Sequence, residues 1–307
     1  MAELTSRSDA EQEGREARER FAQLAVTDDL REGPAASNPA WRHYSERLRP
    51  TLQASGFASL GVYLSRTLAE LARPIEVLSL GGGSGGQQVA LARSFSRTCS
   101  IRHLDASGAN FDRAAGIART EGLPIEFHSM EIDALGLDRG RYDLVVARGV
   151  FHRVHHPERF FDEISAALAP GGLLQVDDMV GKNRKLLWDE NEWLANALLG
   201  RLPESLTRGA RLAAPEGDAG LGSPCQEEIP AALRQRFSPL FEHRHGAFMR
   251  FVCAHPELGS CLGAPDAAAR NSLDFLIDSD DSAVRHELLQ PLELWGVYRP
   301  VEAASSS

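Results

Sequence analysis

The chain has 307 residues, 43% of them hydrophobic and 25% charged, so we expect a soluble globular protein with a sizeable buried core. Its formal net charge of −10 argues against a phosphate backbone as the main partner, because such binding needs clustered Lys and Arg. No apolar run approaches the roughly 20 residues that span a bilayer, and the charged N-terminus lacks the apolar core of a signal peptide. We therefore expect a cytoplasmic protein with no nucleic-acid or membrane partner, and leave a homodimer open. The four cysteines form no CxxC pair, which predicts reduced thiols and no metal site.

The sequence pattern divides the chain into five segments. Residues 1–38 are a charged arm that we expect to be mobile, and residues 39–73 hold two predicted helices. Residues 74–180 alternate short apolar runs with helical patterns, which is typical of a doubly wound parallel sheet. Residues 181–300 are less regular, and residues 301–307 form a tail.

Two series of elements are predicted within these segments. In residues 74–180 they are strands at 75–80, 101–104, 125–129, 142–147 and 173–176, with helices at 87–94, 109–121 and 157–169 and a turn at Pro170-Gly171-Gly172. In residues 181–300 they are helices at 186–199, 229–236 and 266–289, the last one broken near 278–281, and strands at 240–244 and 292–298.

A glycine-rich loop, Gly81-Gly82-Gly83-Ser84-Gly85-Gly86, separates the first predicted strand of the sheet from the next helix. Glycines permit a sharp turn and a close approach of backbone to ligand, and the helix N-terminus offers unpaired N–H groups. Asp105, 19 positions after Gly86, ends the next strand, where its carboxylate would accept hydrogen bonds from ribose hydroxyls. The loop also satisfies GxGxxG, so by itself it leaves a dinucleotide cofactor open.

Four segments, in this order, resemble the class I S-adenosylmethionine-dependent methyltransferases. They are IEVLSLGGGSGG (75–86), HLDAS (103–107), YDLVVARGVFH (142–152) and LAPGGLL (168–174). The chain is similar to bacterial members that act on small molecules or natural products. The resemblance implies a Rossmann-like α/β fold with a doubly wound, mostly parallel seven-stranded sheet and an antiparallel last strand. It also implies N-terminal helices and a C-terminal helical insert that form a cap over the S-adenosylmethionine-binding core at 74–180.

The resemblance assigns contacts to S-adenosylmethionine residue by residue. The expected cofactor-binding residues are Ser79, Gly81, Gly82, Gly83, Gly85, Asp105, Ala106, Met130, Glu131, Arg148 and Gly149. Glu131 is expected near the adenine amino group, with Met130 packed on the ring, while Asp133 is the competing choice for Glu131. Arg148 and Gly149 are expected to face the methionine portion.

One position departs from the family pattern. An acidic residue that helps to hold the amino-acid end of the cofactor usually stands where this chain has Ser79. The Ser79 hydroxyl can form a hydrogen bond but lacks the charge. This departure motivates the alternative of a non-catalytic accessory protein that binds S-adenosylmethionine.

The candidate catalytic and substrate residues come from three places. His152 and His155 follow the fourth strand of the core, where ligands bind in open parallel sheets, and a histidine pKa suits a general base; the alternative is that they have no base role. Trp41 and Tyr44 on the N-terminal helix would shape the acceptor pocket, or else pack that helix on the sheet. Asp178 is a candidate for binding the acceptor, or else caps the following segment.

These observations favour a methyltransferase that acts on a small molecule in secondary metabolism or glycan modification, with an oxygen, nitrogen or carbon atom as acceptor. Residues 181–300 and the N-terminal helices are expected to build the acceptor pocket. A non-catalytic accessory protein is the alternative, and an NAD(P)-dependent oxidoreductase is the third choice because of the GxGxxG pattern.

Overall fold

The computed structural model describes residues 38–52, 73–83, 85–95, 99–105, 111–130, 132, 135–185, 187–213 and 225–301 of the chain. Nearly all of the predicted arm, the second predicted N-terminal helix and nearly all of the predicted tail lie outside these ranges. So do the predicted cofactor residues Ala106 and Glu131, and Asp133, the competing choice for Glu131.

A seven-stranded sheet forms the centre of the fold, in the order β3-β2-β1-β4-β5-β7-β6. Its strands are β1 (Ile75–Gly81), β2 (Cys99–Asp105), β3 (Ile125–Ser129), β4 (Tyr142–Arg148), β5 (Leu168–Met179), β6 (Phe237–His245) and β7 (Glu293–Pro300). Neighbours among β1 to β5 are parallel, whereas β7 runs antiparallel to both β5 and β6. The expected doubly wound, mostly parallel sheet with an antiparallel last strand is thereby confirmed.

The helices alternate with the strands in the first part of the chain and cluster in the second. In chain order they are α1 (Pro39–Leu52), α2 (Gly86–Phe95), α3 (Asp112–Glu121), α4 (Pro157–Ala167), α5 (Asp189–Leu199), α6 (Glu204–Thr207), α7 (Ile229–Arg236), α8 (Met249–Ala254), α9 (Pro256–Leu262) and α10 (Ala267–Arg285). Within the described ranges, no helix is long and apolar enough to cross a bilayer.

Apolar side chains cover both faces of the sheet. On one face, residues such as Leu78 and Leu80 of β1 join a cluster with Phe161 of α4 and Leu233 of α7. On the other face, Val77 belongs to a cluster that includes Ala92 of α2 and Trp295 of β7. Because successive strand residues point to opposite faces, the nearly continuous apolar runs of the sequence correspond to strands buried on both sides.

A third apolar cluster lies outside these two layers and is made by α1, α5, α6, α8, α9 and α10, which we call the helical part. Its buried members include Trp41 and Tyr44 of α1, Leu199 of α5, Val252 of α8 and Leu276 of α10. The N-terminal helix and the C-terminal helices thus share one apolar core.

Two local predictions need correction. The helix predicted to break near Asp278–Asp281 continues to Arg285. Asp278 and Asp281 face solvent, and the buried Asp280 accepts hydrogen bonds from the backbone N–H groups of residues 247–249, so the acidic residues do not interrupt the helix. The Pro170-Gly171-Gly172 turn is continuous with β5, with irregular pairing to β4 at that point. A Cβ at Gly172 would lie 2.9 Å from the carbonyl oxygen of Tyr142, so the two backbones approach too closely there for a larger residue.

Candidate functional site

The glycine loop bends sharply at the end of β1. Gly81, Gly82, Gly83 and Gly85 all have φ between 73° and 88°, a region that side-chain-bearing residues rarely adopt. A Cβ at Gly81 would collide with the carbonyl oxygen of Arg148, so β1 and β4 meet closely here. At Gly83, in contrast, no described atom lies within 4 Å of the Cβ position. Among the described residues, the turn therefore leaves the Cβ position of Gly83 open.

Asp105 ties the loop to the end of β2. Its side chain is buried, and its Oδ2 accepts a hydrogen bond from the Gly83 N–H at 3.0 Å. The N–H of Met130 donates to the carbonyl oxygen of Asp105 at 3.2 Å. The Met130 side chain is partly buried and packs against the apolar cluster that contains Leu78 and Leu80. Three predicted cofactor residues thus come together at the carboxyl ends of β1, β2 and β3.

Buried polar side chains lie beneath the loop. Ser79 is 2% exposed and its Oγ accepts a hydrogen bond from Nε2 of Gln88 in α2 at 2.8 Å. His103, opposite Ser79 in the β1–β2 register, has its Nε2 3.4 Å from the Gly83 carbonyl oxygen. Desolvation lowers the pKa of His103, so its ring is neutral near pH 7.

Sequence reasoning missed Gln88 and His103. The sequence feature that points to His103 is its spacing of two positions from Asp105, which places both residues on the same face of β2. For Gln88 the signal was a polar residue in the first turn of the helix that follows the glycine loop.

The end of β4, with Arg148 and Gly149, adjoins the loop. Arg148 pairs with Gly81 in the sheet register, and its buried side chain places Nε 3.1 Å from Oδ2 of Asp177. The Gly149 N–H donates to the carbonyl oxygen of Asp177 at 3.1 Å. As at Gly83, no described atom lies within 4 Å of a Cβ built on Gly149. Among the described residues, the Cβ position of Gly149 is therefore as open as that of Gly83.

Asp178 holds that turn in place. Its buried carboxylate accepts hydrogen bonds from the N–H groups of Val150 at 2.6 Å and Phe151 at 2.9 Å through one oxygen, and from Met179 at 2.8 Å through the other. Burial raises the pKa of Asp178 to about 7. Of the two roles considered for Asp178, these contacts support capping. However, the segment that it caps is chiefly the turn after β4 rather than the one after β5.

The two candidate histidines lie on or just after this turn. His152 belongs to a short 3-10 turn at Phe151–Arg153 and is half-buried, whereas His155 is exposed. The Cys225 thiol donates to the carbonyl oxygen of His155 at 3.3 Å. His152 is therefore the more enclosed of the two candidates.

Trp41 and Tyr44 are both buried on α1 and contact each other edge-on, with ring centroids 6.2 Å apart. The Tyr44 hydroxyl donates to Oε2 of Glu293 at 3.4 Å, and burial together with this carboxylate raises the pKa of Tyr44. Arg250 donates to Oε1 of Glu293 at 2.6 Å and stacks over the Trp41 ring, 5.1 Å from its centroid. These contacts pack α1 on the start of β7.

Glu293 and Arg250 were not singled out from the sequence. Glu293 pairs with Met179 in the register, so it lies at the same edge of the sheet as the end of β5. The helical part therefore meets the sheet at its carboxyl edge. Nothing in the LELWGVY pattern distinguishes Glu293 from an ordinary polar strand residue, because its partners are more than 40 positions away.

A cavity of about 750 Å³ lies between the helical part and the edge strand β6. It is lined by His243 and Arg244 of β6, by the start of α5, by the end of α10 and by residues 287–291. The His243 ring stacks on His245 at 5.1 Å, and desolvation, with His245 nearby, lowers the pKa of His243 to about 4. The cavity falls within residues 181–300, where the acceptor pocket was expected, but none of the predicted site residues line it.

Comparison with known proteins agrees with this geometry. Residues 77–172, from β1 into β5, match a family model described as a methyltransferase domain. The chain is 25% identical over 140 residues to the hybrid PKS-NRPS synthetase lepA of Aspergillus flavus, which is 43% of this chain and 4% of that protein. It is 32% identical over 110 residues to the hybrid PKS-NRPS synthetase apdA of Emericella nidulans, which is 34% of this chain and 3% of that protein. The chain thus spans only a few per cent of the length of these relatives.

Among solved structures, the chain is similar to the geranyl diphosphate C-methyltransferase of Streptomyces coelicolor, with 13% identity and a TM-score of 0.44. That match covers 80% of this chain and 81% of the other. The family match, the order of the strands and the glycine loop together identify a methyltransferase domain within this chain.

Proposed function

We propose that this protein transfers the methyl group of S-adenosylmethionine to an oxygen, nitrogen or carbon atom of a small molecule, in natural-product biosynthesis or glycan modification. The observation that carries the proposal is the joining of the glycine loop, Asp105 and the end of β4 within residues 77–172, which match the methyltransferase domain model. The net charge of −10 favours a small molecule over a nucleic acid. The names of the matched relatives, which are hybrid PKS-NRPS synthetases, favour a natural-product acceptor.

The residues present fit the cofactor. Two observations support this: no described atom lies within 4 Å of the Cβ positions of Gly83 and Gly149, and Asp105 offers a carboxylate for the ribose hydroxyls beside Gly83. When bound, S-adenosylmethionine supplies a methyl group on a positively charged sulfur. The proposed contacts are Ser79, Gly81, Gly82, Gly83, Gly85, Asp105, Ala106, Met130, Glu131, Arg148 and Gly149.

The chain's own contribution to transfer is positioning and exclusion of water, which can supply much of the rate of an in-line displacement. His152 lies in the turn after β4 that Asp178 fixes, three residues after Gly149 in the chain. We propose His152, and then His155, as the group that takes a proton from an oxygen or nitrogen acceptor. Trp41 and Tyr44 would close the acceptor side where the helical part meets the carboxyl edge of the sheet.

Calorimetric titration of the full chain tests the cofactor first. S-adenosylmethionine and S-adenosylhomocysteine should each bind at one site, and NAD(H) should not. Binding of a nicotinamide cofactor without binding of either sulfur nucleoside would overturn the proposal. Transfer of a radiolabelled methyl group to a panel of small hydroxyl-, amine- and carbanion-forming acceptors then separates an enzyme from a non-catalytic binding protein, the alternative that the neutral Ser79 motivates.

A further inference from the structure

A neutral hydrogen-bonded pair lies at the base of the glycine loop. Gln88 is the third residue of α2 and is 4% exposed, while Ser79 is 2% exposed and two residues before Gly81. The Gln88 Nε2 donates to Ser79 Oγ at 2.8 Å, which bridges the helix and the strand on either side of the loop. This hydrogen bond satisfies the nitrogen of the Gln88 amide but not its oxygen.

The other end of the amide is the Gln88 Oε1 atom. It is buried and has no hydrogen-bond partner among the residues that the structure describes. A buried acceptor without a donor is costly, and most buried polar atoms in native proteins have a partner. A ligand in the loop that brings a donor would therefore relieve this cost.

The donor that suits this position is a cation. The loop and the first turn of α2 present backbone N–H groups, which favour the carboxylate of an amino acid. Gln88 Oε1 is a buried acceptor in the first turn of the same helix, and such an oxygen favours the ammonium group of the same amino acid, whose N–H groups are donors only. S-adenosylmethionine carries both groups on its amino-acid end.

We propose that Gln88 Oε1 accepts a hydrogen bond from the α-ammonium group of S-adenosylmethionine, with Ser79 fixing the orientation of the amide. This inference rests on the proposed cofactor. It makes the Ser79–Gln88 pair the neutral counterpart of a carboxylate at position 79. The neutral Ser79 is then compatible with specific recognition of the amino-acid end.

The experiment compares two ligands by calorimetric titration of the full chain. S-adenosylhomocysteine has the amino-acid end, and 5′-methylthioadenosine has the same nucleoside and sulfur without it. Gln88→Leu should weaken S-adenosylhomocysteine binding by roughly tenfold, as expected for a lost hydrogen bond to a charged group, and leave 5′-methylthioadenosine binding unchanged. Gln88→Glu retains an acceptor and should bind S-adenosylhomocysteine at least as tightly as the wild type.

The matched control is Gln226→Leu, which removes another buried glutamine amide, one that donates to the Met179 carbonyl oxygen at 3.3 Å. It should not discriminate between the two ligands. Equal weakening of both ligands by Gln88→Leu, or none, would overturn the inference while the proposed function stands. Should Gln88→Leu fail to fold, selective weakening of S-adenosylhomocysteine by Gln88→Glu would overturn it instead. Absence of binding of either ligand to the wild type would remove the proposed cofactor and the inference together.

Discussion

The sheet and the helical part each contain a buried aspartate that accepts hydrogen bonds from three backbone N–H groups. In the sheet, Asp178 accepts from Val150, Phe151 and Met179. In the helical part, Asp280 of α10 accepts from Ala247, Phe248 and Met249, which lead into α8. Burial raises the pKa of both carboxyls, to about 7 for Asp178 and about 6 for Asp280.

The two aspartates differ in what they hold. Asp178 fixes the turn that begins at Gly149, next to the glycine loop. Asp280 fixes a helix start against α10, inside the apolar cluster of the helical part. The same local interaction thus supports the proposed cofactor site in one region and only the packing of helices in the other. Cofactor binding and stability should therefore separate when the two are changed.

The largest expected effect is the loss of either carboxylate. Asp178→Ala and Asp280→Ala should each lower the free energy of unfolding by about 3 kcal/mol, because several buried N–H groups lose their acceptor. Urea denaturation measures this loss. Only Asp178→Ala should also weaken S-adenosylhomocysteine binding, since its turn adjoins the proposed site.

Asp278→Ala is the control on the same helix as Asp280. Its carboxylate is exposed and pairs with Arg47 at 2.5 Å, so its loss should cost at most about 1 kcal/mol. Equal weakening of cofactor binding by Asp178→Ala and Asp280→Ala would contradict the separation of the two regions.

The sequence predicted the sheet better than the helical part for a physical reason. The contacts of the glycine loop, such as Gly83 with Asp105, join residues at the ends of adjacent parallel strands. A strand–helix–strand pattern in the sequence is enough to predict that such residues lie close together. The contacts that hold the helical part join residues far apart, such as Tyr44 and Glu293, and no local pattern marks them. The acidic run at Asp278–Asp281 was misread as a helix break because the partners of Asp280 lie more than 30 positions away.

A second prediction concerns pH and isolates Asp178. Its pKa is about 7 in the folded protein against an ordinary value of 3.8, so between these values the folded state holds a proton that the unfolded chain releases. The contribution of Asp178 to stability therefore falls as pH rises through this window. Relative to Asp178→Asn, which does not titrate, the wild type should lose about 2.5 kcal/mol of its free energy of unfolding between pH 5 and pH 8.

Denaturation of both proteins at several pH values provides the measurement, and Asp280 cancels because it titrates in both. If the free energy of unfolding of the wild type, relative to that of Asp178→Asn, stays constant or rises as pH rises, then Asp178 is ionised throughout this range.

A third prediction compares two glycines at opposite edges of the sheet. Gly83 and Gly140 both have positive φ and open space at the Cβ position, so Gly→Ala should cost each about 1 kcal/mol of stability through backbone strain. Gly83→Ala should weaken S-adenosylhomocysteine binding about tenfold, because the methyl group projects into the proposed site. Gly140→Ala, just before β4 at the amino edge, should leave binding unchanged. Similar titration curves for the two variants would remove Gly83 from the site.

The smallest expected effect tests whether the helical part shapes the acceptor pocket. Tyr44→Phe removes a hydroxyl that donates to Glu293 at 3.4 Å, and Tyr298→Phe removes one that donates to Glu242 at 2.9 Å, near the opposite end of β7. Each should lower the free energy of unfolding by less than about 1 kcal/mol and leave cofactor binding unchanged. If α1 closes the acceptor side, only Tyr44→Phe should raise KM for the acceptor, because Glu293 lies at the carboxyl edge beside the end of β5. An unchanged KM in both variants would assign Tyr44 to helix packing, and the acceptor pocket would then have to be sought nearer the turn that Asp178 holds.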